Sequence, residues 1–178
     1  ANAANSNNIL RDNKFQNIIT GIRVGTTGNN GSWQITENHF YTTNSITHLQ
    51  LATGVKFNTT DTATVEISGN YVGGSEPFTG GTYSHSKSAA FYGIEVSLSS
   101  VSPIALVTNN KVSNVFWSGP DSRFFYGIYA SLGPVNINNN IIGDPLIANS
   151  IMFADTTDPI FYGIYYQSSQ NAKAAHIN

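Results

Sequence analysis

The chain has no cysteine and little charge: 8 Lys or Arg and 10 Asp or Glu in 178 residues, or 10% of the total. An average soluble domain carries about 25%. Without cysteine there is no disulfide scaffold, no thiolate metal site and no cysteine nucleophile. A net charge of −2 supplies no basic excess for neutralising phosphates, so nucleic acid is not an expected partner. No run of about 18 apolar residues occurs, so no membrane span is expected. Ala1 to Asn8 have neither a basic start nor an apolar stretch, and read as the start of a mature chain or a boundary rather than a signal peptide. What is present is a core: 40% hydrophobic and 12% aromatic residues argue against disorder. At this length one domain, residues 1–178, burying roughly 70% of its unfolded surface is the default. The 22 Asn and 16 Gly, with many Ser and Thr, suit a surface solvated by neutral polar groups. That composition points to an extracellular or cell-surface location.

Internal repeats organise the whole chain. A six-residue motif runs Ile19-Thr20-Gly21-Ile22-Arg23-Val24, Ala52-Thr53-Gly54-Val55-Lys56-Phe57 and Phe91-Tyr92-Gly93-Ile94-Glu95-Val96. It returns as Phe125-Tyr126-Gly127-Ile128-Tyr129-Ala130 and Phe161-Tyr162-Gly163-Ile164-Tyr165-Tyr166. Its glycines are 33, 39, 34 and 36 residues apart. A second motif ends in Asn-x-apolar. Trp33-Gln34-Ile35 leads to Asn38, Val65-Glu66-Ile67 to Asn70, Ala105-Leu106-Val107 to Asn110, and Val135-Asn136-Ile137 to Asn140. Leu10 leads to a weaker first copy at Asn13. From each glycine to the next asparagine the spacing is 17, 16, 17 and 13. From asparagine to glycine it ranges from 8 to 23. One half of the repeat is nearly constant and the other hosts insertions.

Both motifs alternate apolar and polar residues at period 2, with β-branched and aromatic residues punctuated by Gly, Asn, Ser and Pro. The expected architecture is all-β: a β-solenoid of about five coils with one-sided loop insertions. The pattern resembles the right-handed parallel β-helix proteins of the pectin-lyase-like superfamily. There an asparagine at a turn stacks on its equivalents in neighbouring coils, and Asn13, Asn38, Asn70, Asn110 and Asn140 match that position. Asn tolerates left-handed backbone, and its amide can hydrogen-bond the next Asn in a ladder.

Alternation read from the glycine motif puts its fifth position outside, where Arg23, Lys56, Glu95, Tyr129 and Tyr165 stand. On that reading Tyr92, Tyr126 and Tyr162 stack inside, the glycines face outward, and Ile22, Val55, Ile94, Ile128 and Ile164 form an inner column. The insertions, about Tyr41 to Leu51, Ser75 to Ala90, Phe116 to Phe124 and Pro145 to Ile160, are expected to leave one side of the rod. They either form a binding face or simply cover a groove.

Two aromatic readings stay open. Tyr129 and Tyr165, beneath loop residues such as Trp117 and beside Glu95, offer the exposed platform that sugars stack on. Alternatively Trp117, Phe124, Phe153 and Phe161 only pack loops onto the rod. A polysaccharide lyase or glycoside hydrolase is the enzymatic alternative the resemblance implies. A lyase of that superfamily needs acidic calcium ligands plus an Arg or Lys base on one strand face; here Arg23, Lys56 and Glu95 share a column with a single acid. A hydrolase needs two carboxylates around one bond, and Asp155 with Asp158 is the only close pair. Those two, with Thr156 and Thr157, offer oxygen ligands for Ca²⁺, though a solvated loop is the simpler account. Asp121 with Arg123 reads as a surface ion pair. His39, His48, His85 and His176 do not cluster, so no metal site and no cofactor is expected. Thr20 and Thr53 give way to Tyr in later copies, which leaves no regular threonine array for ice. Adding 17 to Gly163 places the next ladder position near 180, so the chain reads as a segment of a longer repetitive protein. Neighbouring coils or subunits are expected at its open ends.

Overall fold

The computed structural model describes residues 7–25, 31–44, 52–85, 90–118, 124–154, 159–168 and 176–178. Each pass of the repeat lays down short strands in a fixed order. The first holds β1 (Asn8–Arg11), β2 (Lys14–Gln16) and β3 (Thr20–Val24), and the second β4 (Ser32–Thr36), β5 (His39–Tyr41) and β6 (Ala52–Asn58). The third holds β7 (Thr64–Ser68), β8 (Tyr71–Val72), β9 (Tyr83–His85) and β10 (Phe91–Ser97). Then follow β11 (Ala105–Thr108), β12 (Lys111–Val112), β13 (Val115–Trp117) and β14 (Phe124–Leu132). After them come β15 (Val135–Asn138), β16 (Ile141–Ile142), β17 (Ile151–Phe153) and β18 (Ile160–Ser168), with β19 (His176–Ile177) next. Every pairing among the described strands is parallel and joins equivalent strands of successive repeats. The sheet orders are β1-β4-β7-β11-β15-β19, β3-β6-β10-β14-β18, β2-β5-β8-β12-β16 and β9-β13-β17. The only helical element among the described residues is a 3-10 turn at Pro77–Thr79. The fold is thus all-β with stacked parallel strands, consistent with a β-solenoid.

Register explains why the sequence repeats. Leu10, Ile35, Ile67, Val107, Ile137 and Ile177 pair in one column of the first sheet. Ile22, Val55, Ile94, Ile128 and Ile164 do so in the glycine-strand sheet. Ile35, Val55, Ile67, Ile94, Val107, Ile128 and Ile137 are fully buried. Burying one such side chain contributes about 1.5–3 kcal/mol. A slip of one residue would turn every one of these columns outward.

At the turn after the first-sheet strands the five asparagines form one hydrogen-bonded column. The backbone N–H and Nδ2 of Asn13 both donate to Asn38 Oδ1, each at 3.0 Å. Asn38 donates in the same way to Asn70, Asn70 to Asn110 and Asn110 to Asn140, at 2.9–3.1 Å. The Nδ2 groups of Asn38, Asn70, Asn110 and Asn140 also donate to the carbonyls of Leu10, Ile35, Ile67 and Val107. Positive φ belongs to the residue before each rung: Asp12, Glu37, Gly69, Asn109 and Asn139, at +55 to +65°. Tolerance of left-handed backbone therefore does not explain the rung asparagines. Their amides do, because from Asn38 onward each rung accepts the N–H of the rung before it and donates to a carbonyl of that preceding coil, while its neighbour absorbs the bend.

Two expectations are corrected. Three of the insertions are not plain loops: they carry β9, β13 and β17, which pair in register as a fourth sheet. Tyr83, His85, Val115 and Trp117 of these strands are buried, so short triplets inside the variable half of the repeat add a wall to the core. Four motif glycines, Gly21, Gly54, Gly93 and Gly127, face inward. A Cβ on Gly93 would lie 2.5 Å from the Gly127 carbonyl oxygen and 2.7 Å from Val112 Cγ2. Gly21, Gly54 and Gly127 meet Phe40, Val72 and Ile142 in the same way. Gly is required here because the backbone of one sheet packs directly on side chains of another.

Candidate functional site

The inward glycine resets the alternation of its strand. Phe91, Gly93, Ile94 and Val96 are all buried, with Tyr92 and Glu95 between them only partly so. Two consecutive residues therefore face the core, and the second position of the motif joins the fifth on the outer side. Phe91 and Phe125 stack in the interior instead, centroids 4.9 Å apart. The expectation that Tyr92, Tyr126 and Tyr162 line the interior is thereby overturned.

Those three tyrosines form an outer stack. Tyr126 lies between Tyr92 at 4.7 Å and Tyr162 at 5.1 Å, with rings within 20° of parallel. Tyr129 and Tyr165 stack beside them at 5.5 Å. The two columns meet edge to face: Tyr92 with Tyr129 at 5.6 Å, Tyr126 with Tyr129 at 5.3 Å and with Tyr165 at 5.7 Å, and Tyr162 with Tyr165 at 5.0 Å. Phe124 lies parallel to Tyr126 at 6.0 Å. Five of the nine tyrosines of the chain thus make one continuous, half-exposed ridge. Because the stacked rings cover one another's faces, the ridge presents mainly edges and hydroxyls.

The ridge continues into charge. In register along the fifth position stand Arg23, Lys56, Glu95, Tyr129 and Tyr165. Lys56 Nζ donates to both carboxylate oxygens of Glu95, at 2.7 and 2.8 Å. Tyr129 Oη donates to Gln167 Oε1 at 3.2 Å. Burial, reinforced by Tyr126, Glu95 and Tyr129, pushes the Tyr92 phenol up to about 12. The Tyr126 phenol is raised as well, by burial first and then by Tyr162, Tyr165 and Tyr129. These hydroxyls stay protonated at neutral pH and act as neutral donors and acceptors.

Glu95, Tyr129 and Tyr165 therefore share one face, and Trp117 does not. Trp117 is 2% exposed, stacked on His85 at 3.9 Å and edge-on to Phe91 at 5.7 Å. The reason is the fourth sheet, which turns β13 so that Trp117 joins the core. Sequence reasoning missed Tyr92, Tyr126 and Tyr162, and the signal was the glycine itself, since Gly inside a strand marks a bulge or a close approach.

No second carboxylate stands in the column of Glu95, and Glu95 is engaged by Lys56. Among the described residues no group of three His, Cys, Asp or Glu could hold a metal ion. Asp155 and Asp158, Asp121 and Arg123, and His48 lie outside the described residues. No helix among the described residues is long and apolar enough to cross a membrane. Comparison with known protein families, with curated proteins and with solved structures returns no match for this chain.

Proposed function

We propose that this chain forms about five coils of a right-handed parallel β-helix with a structural and adhesive role on an extracellular or cell surface, and that its tyrosine ridge binds carbohydrate. The in-register strands and the asparagine column support the β-helix reading, as does the sequence resemblance to the pectin-lyase-like superfamily. The low charge and abundant Asn support the exported location. Among the described residues β3 and β18 each have a single neighbour in their sheet, and such strand edges suit cover by neighbouring coils or subunits.

The observation that carries the carbohydrate reading is the ridge. The ridge offers a row of ring edges and hydroxyls already held in place by stacking, which suits a ligand rich in hydroxyls at low conformational cost. Gln167 and the Lys56–Glu95 pair border it with further polar groups.

A glycan array and affinity electrophoresis on neutral and acidic polysaccharides test this. Binding by the native protein should fall about tenfold or more in a Tyr129→Ala, Tyr165→Ala double variant, because truncating an anchoring aromatic typically costs 1–2 kcal/mol or more. Absence of binding to every polysaccharide would overturn the proposal. Cleavage of one, with or without Ca²⁺, would replace it with the lyase or hydrolase reading.

A further inference from the structure

The ridge has a second chemical property, independent of whether it binds sugar. Its phenols are held one rung apart by backbone register, from strands whose tyrosines lie 34 and 36 residues apart in sequence. Each of the five rings lies within 5.7 Å of at least two others, centroid to centroid. Their edges reach solvent, while the fold prepays the entropy of bringing them together. The chain has no cysteine, so covalent bonds between its rungs cannot be disulfides.

We propose that the ridge is an oxidative cross-linking site at which neighbouring rungs couple to dityrosine. The co-reactant is a one-electron oxidant of the peroxide and haem-peroxidase class. Each of two tyrosines gives up one electron and its phenolic proton. The resulting radicals pair through ring carbons ortho to their oxygens, forming one C–C bond. Each ring then regains aromaticity by moving its displaced hydrogen to the oxygen, which restores both phenols. In balance, two tyrosines and one hydrogen peroxide give one dityrosine and two waters. Several close neighbours for each ring allow the unpaired electron to reach a partner on the same molecule before a second molecule arrives. A rung-to-rung bond would constrain the unfolded chain as a disulfide does and raise the unfolding temperature.

The test is treatment of dilute purified protein with hydrogen peroxide and a haem peroxidase, read by dityrosine fluorescence and by mapping cross-linked peptides. The expected products have monomer mass less two hydrogens per link and join Tyr92 to Tyr126, Tyr126 to Tyr162 or Tyr129 to Tyr165. Tyr126→Phe keeps the stacked ring but should lose the first two products and retain the third, with the melting temperature before oxidation unchanged. Coupling only between chains, coupling chiefly through Tyr41, Tyr71 or Tyr166, or no dityrosine at all would each overturn the proposal.

Discussion

A rung asparagine such as Asn70 does several things at once with one side chain. It accepts from the N–H and Nδ2 of Asn38, donates to Asn110, and satisfies the carbonyl of Ile35, all in a fully buried position. Asn70→Ala leaves the buried Asn38 N–H and one hydrogen of the Asn38 side-chain amide without an acceptor, at about 1–3 kcal/mol for each group. Asn13 stands at the exposed end of the column and only donates into it. Denaturant titration of Asn70→Ala should therefore show a loss of about 3 kcal/mol or more, and Asn13→Ala about 1 kcal/mol or less. Equal losses would show that the column does not act through burial. The rung positions could be read from the sequence because their spacing repeats. The residues that carry the left-handed bend could not be told from them, since Asp12, Glu37, Gly69, Asn109 and Asn139 share no single residue type.

The turn at Pro77–Thr79 depends on one titratable contact. The Phe78 N–H donates to His39 Nδ1 at 3.0 Å, and the His39 ring stacks on Tyr71 and meets Phe78 edge to face. Phe78 and Thr79 both have φ near +60°, a conformation that costs an ordinary side chain about 1–2 kcal/mol. Asn114 Nδ2 to the Thr79 carbonyl and Ser113 to Thr79 Oγ1 help to hold it. Burial, then Lys14, lowers the His39 pKa below 6.5, with Asp12 opposing. The folded state thus binds this proton less readily than the unfolded chain. Its contribution to stability is complete above about 6.5 and is lost as pH falls from there through the lowered folded value. Thermal unfolding should show a decline in melting temperature over that range, before the carboxylates titrate, and His39→Gln should flatten it. A wild-type profile already flat there would refute the role. None of this could be read from the sequence, because His39 and Phe78 are 39 residues apart and meet only through stacking of the repeats.

Across the whole molecule, stability runs from the middle outward. Strands β7, β10 and β11 have a neighbour on each side, and each carries fully buried residues between outer ones. In β1, β2 and β18, each with one neighbour among the described residues, no residue is fully buried. In stacked repeats, local opening follows the number of neighbours. Amide hydrogen exchange should be slowest in β7, β10 and β11 and fastest in the terminal strands; uniform protection would contradict this. The period of the repeat, the β class, the hydrophobic columns and the asparagine spacing all follow from the sequence by itself, because identical residues recur wherever identical environments recur. The side on which a tyrosine falls does not. Period 2 holds only while the strand stays regular, and Gly93 and its equivalents break it by packing backbone against Phe40, Val72, Val112 and Ile142 of another sheet. That contact between sheets sends Tyr92 and Tyr126 outward to join Tyr129 and Tyr165, and Tyr162 follows in register with Tyr126. The fourth sheet takes Trp117 inward. Only the tertiary structure could decide these two placements, since each depends on a neighbour remote in sequence.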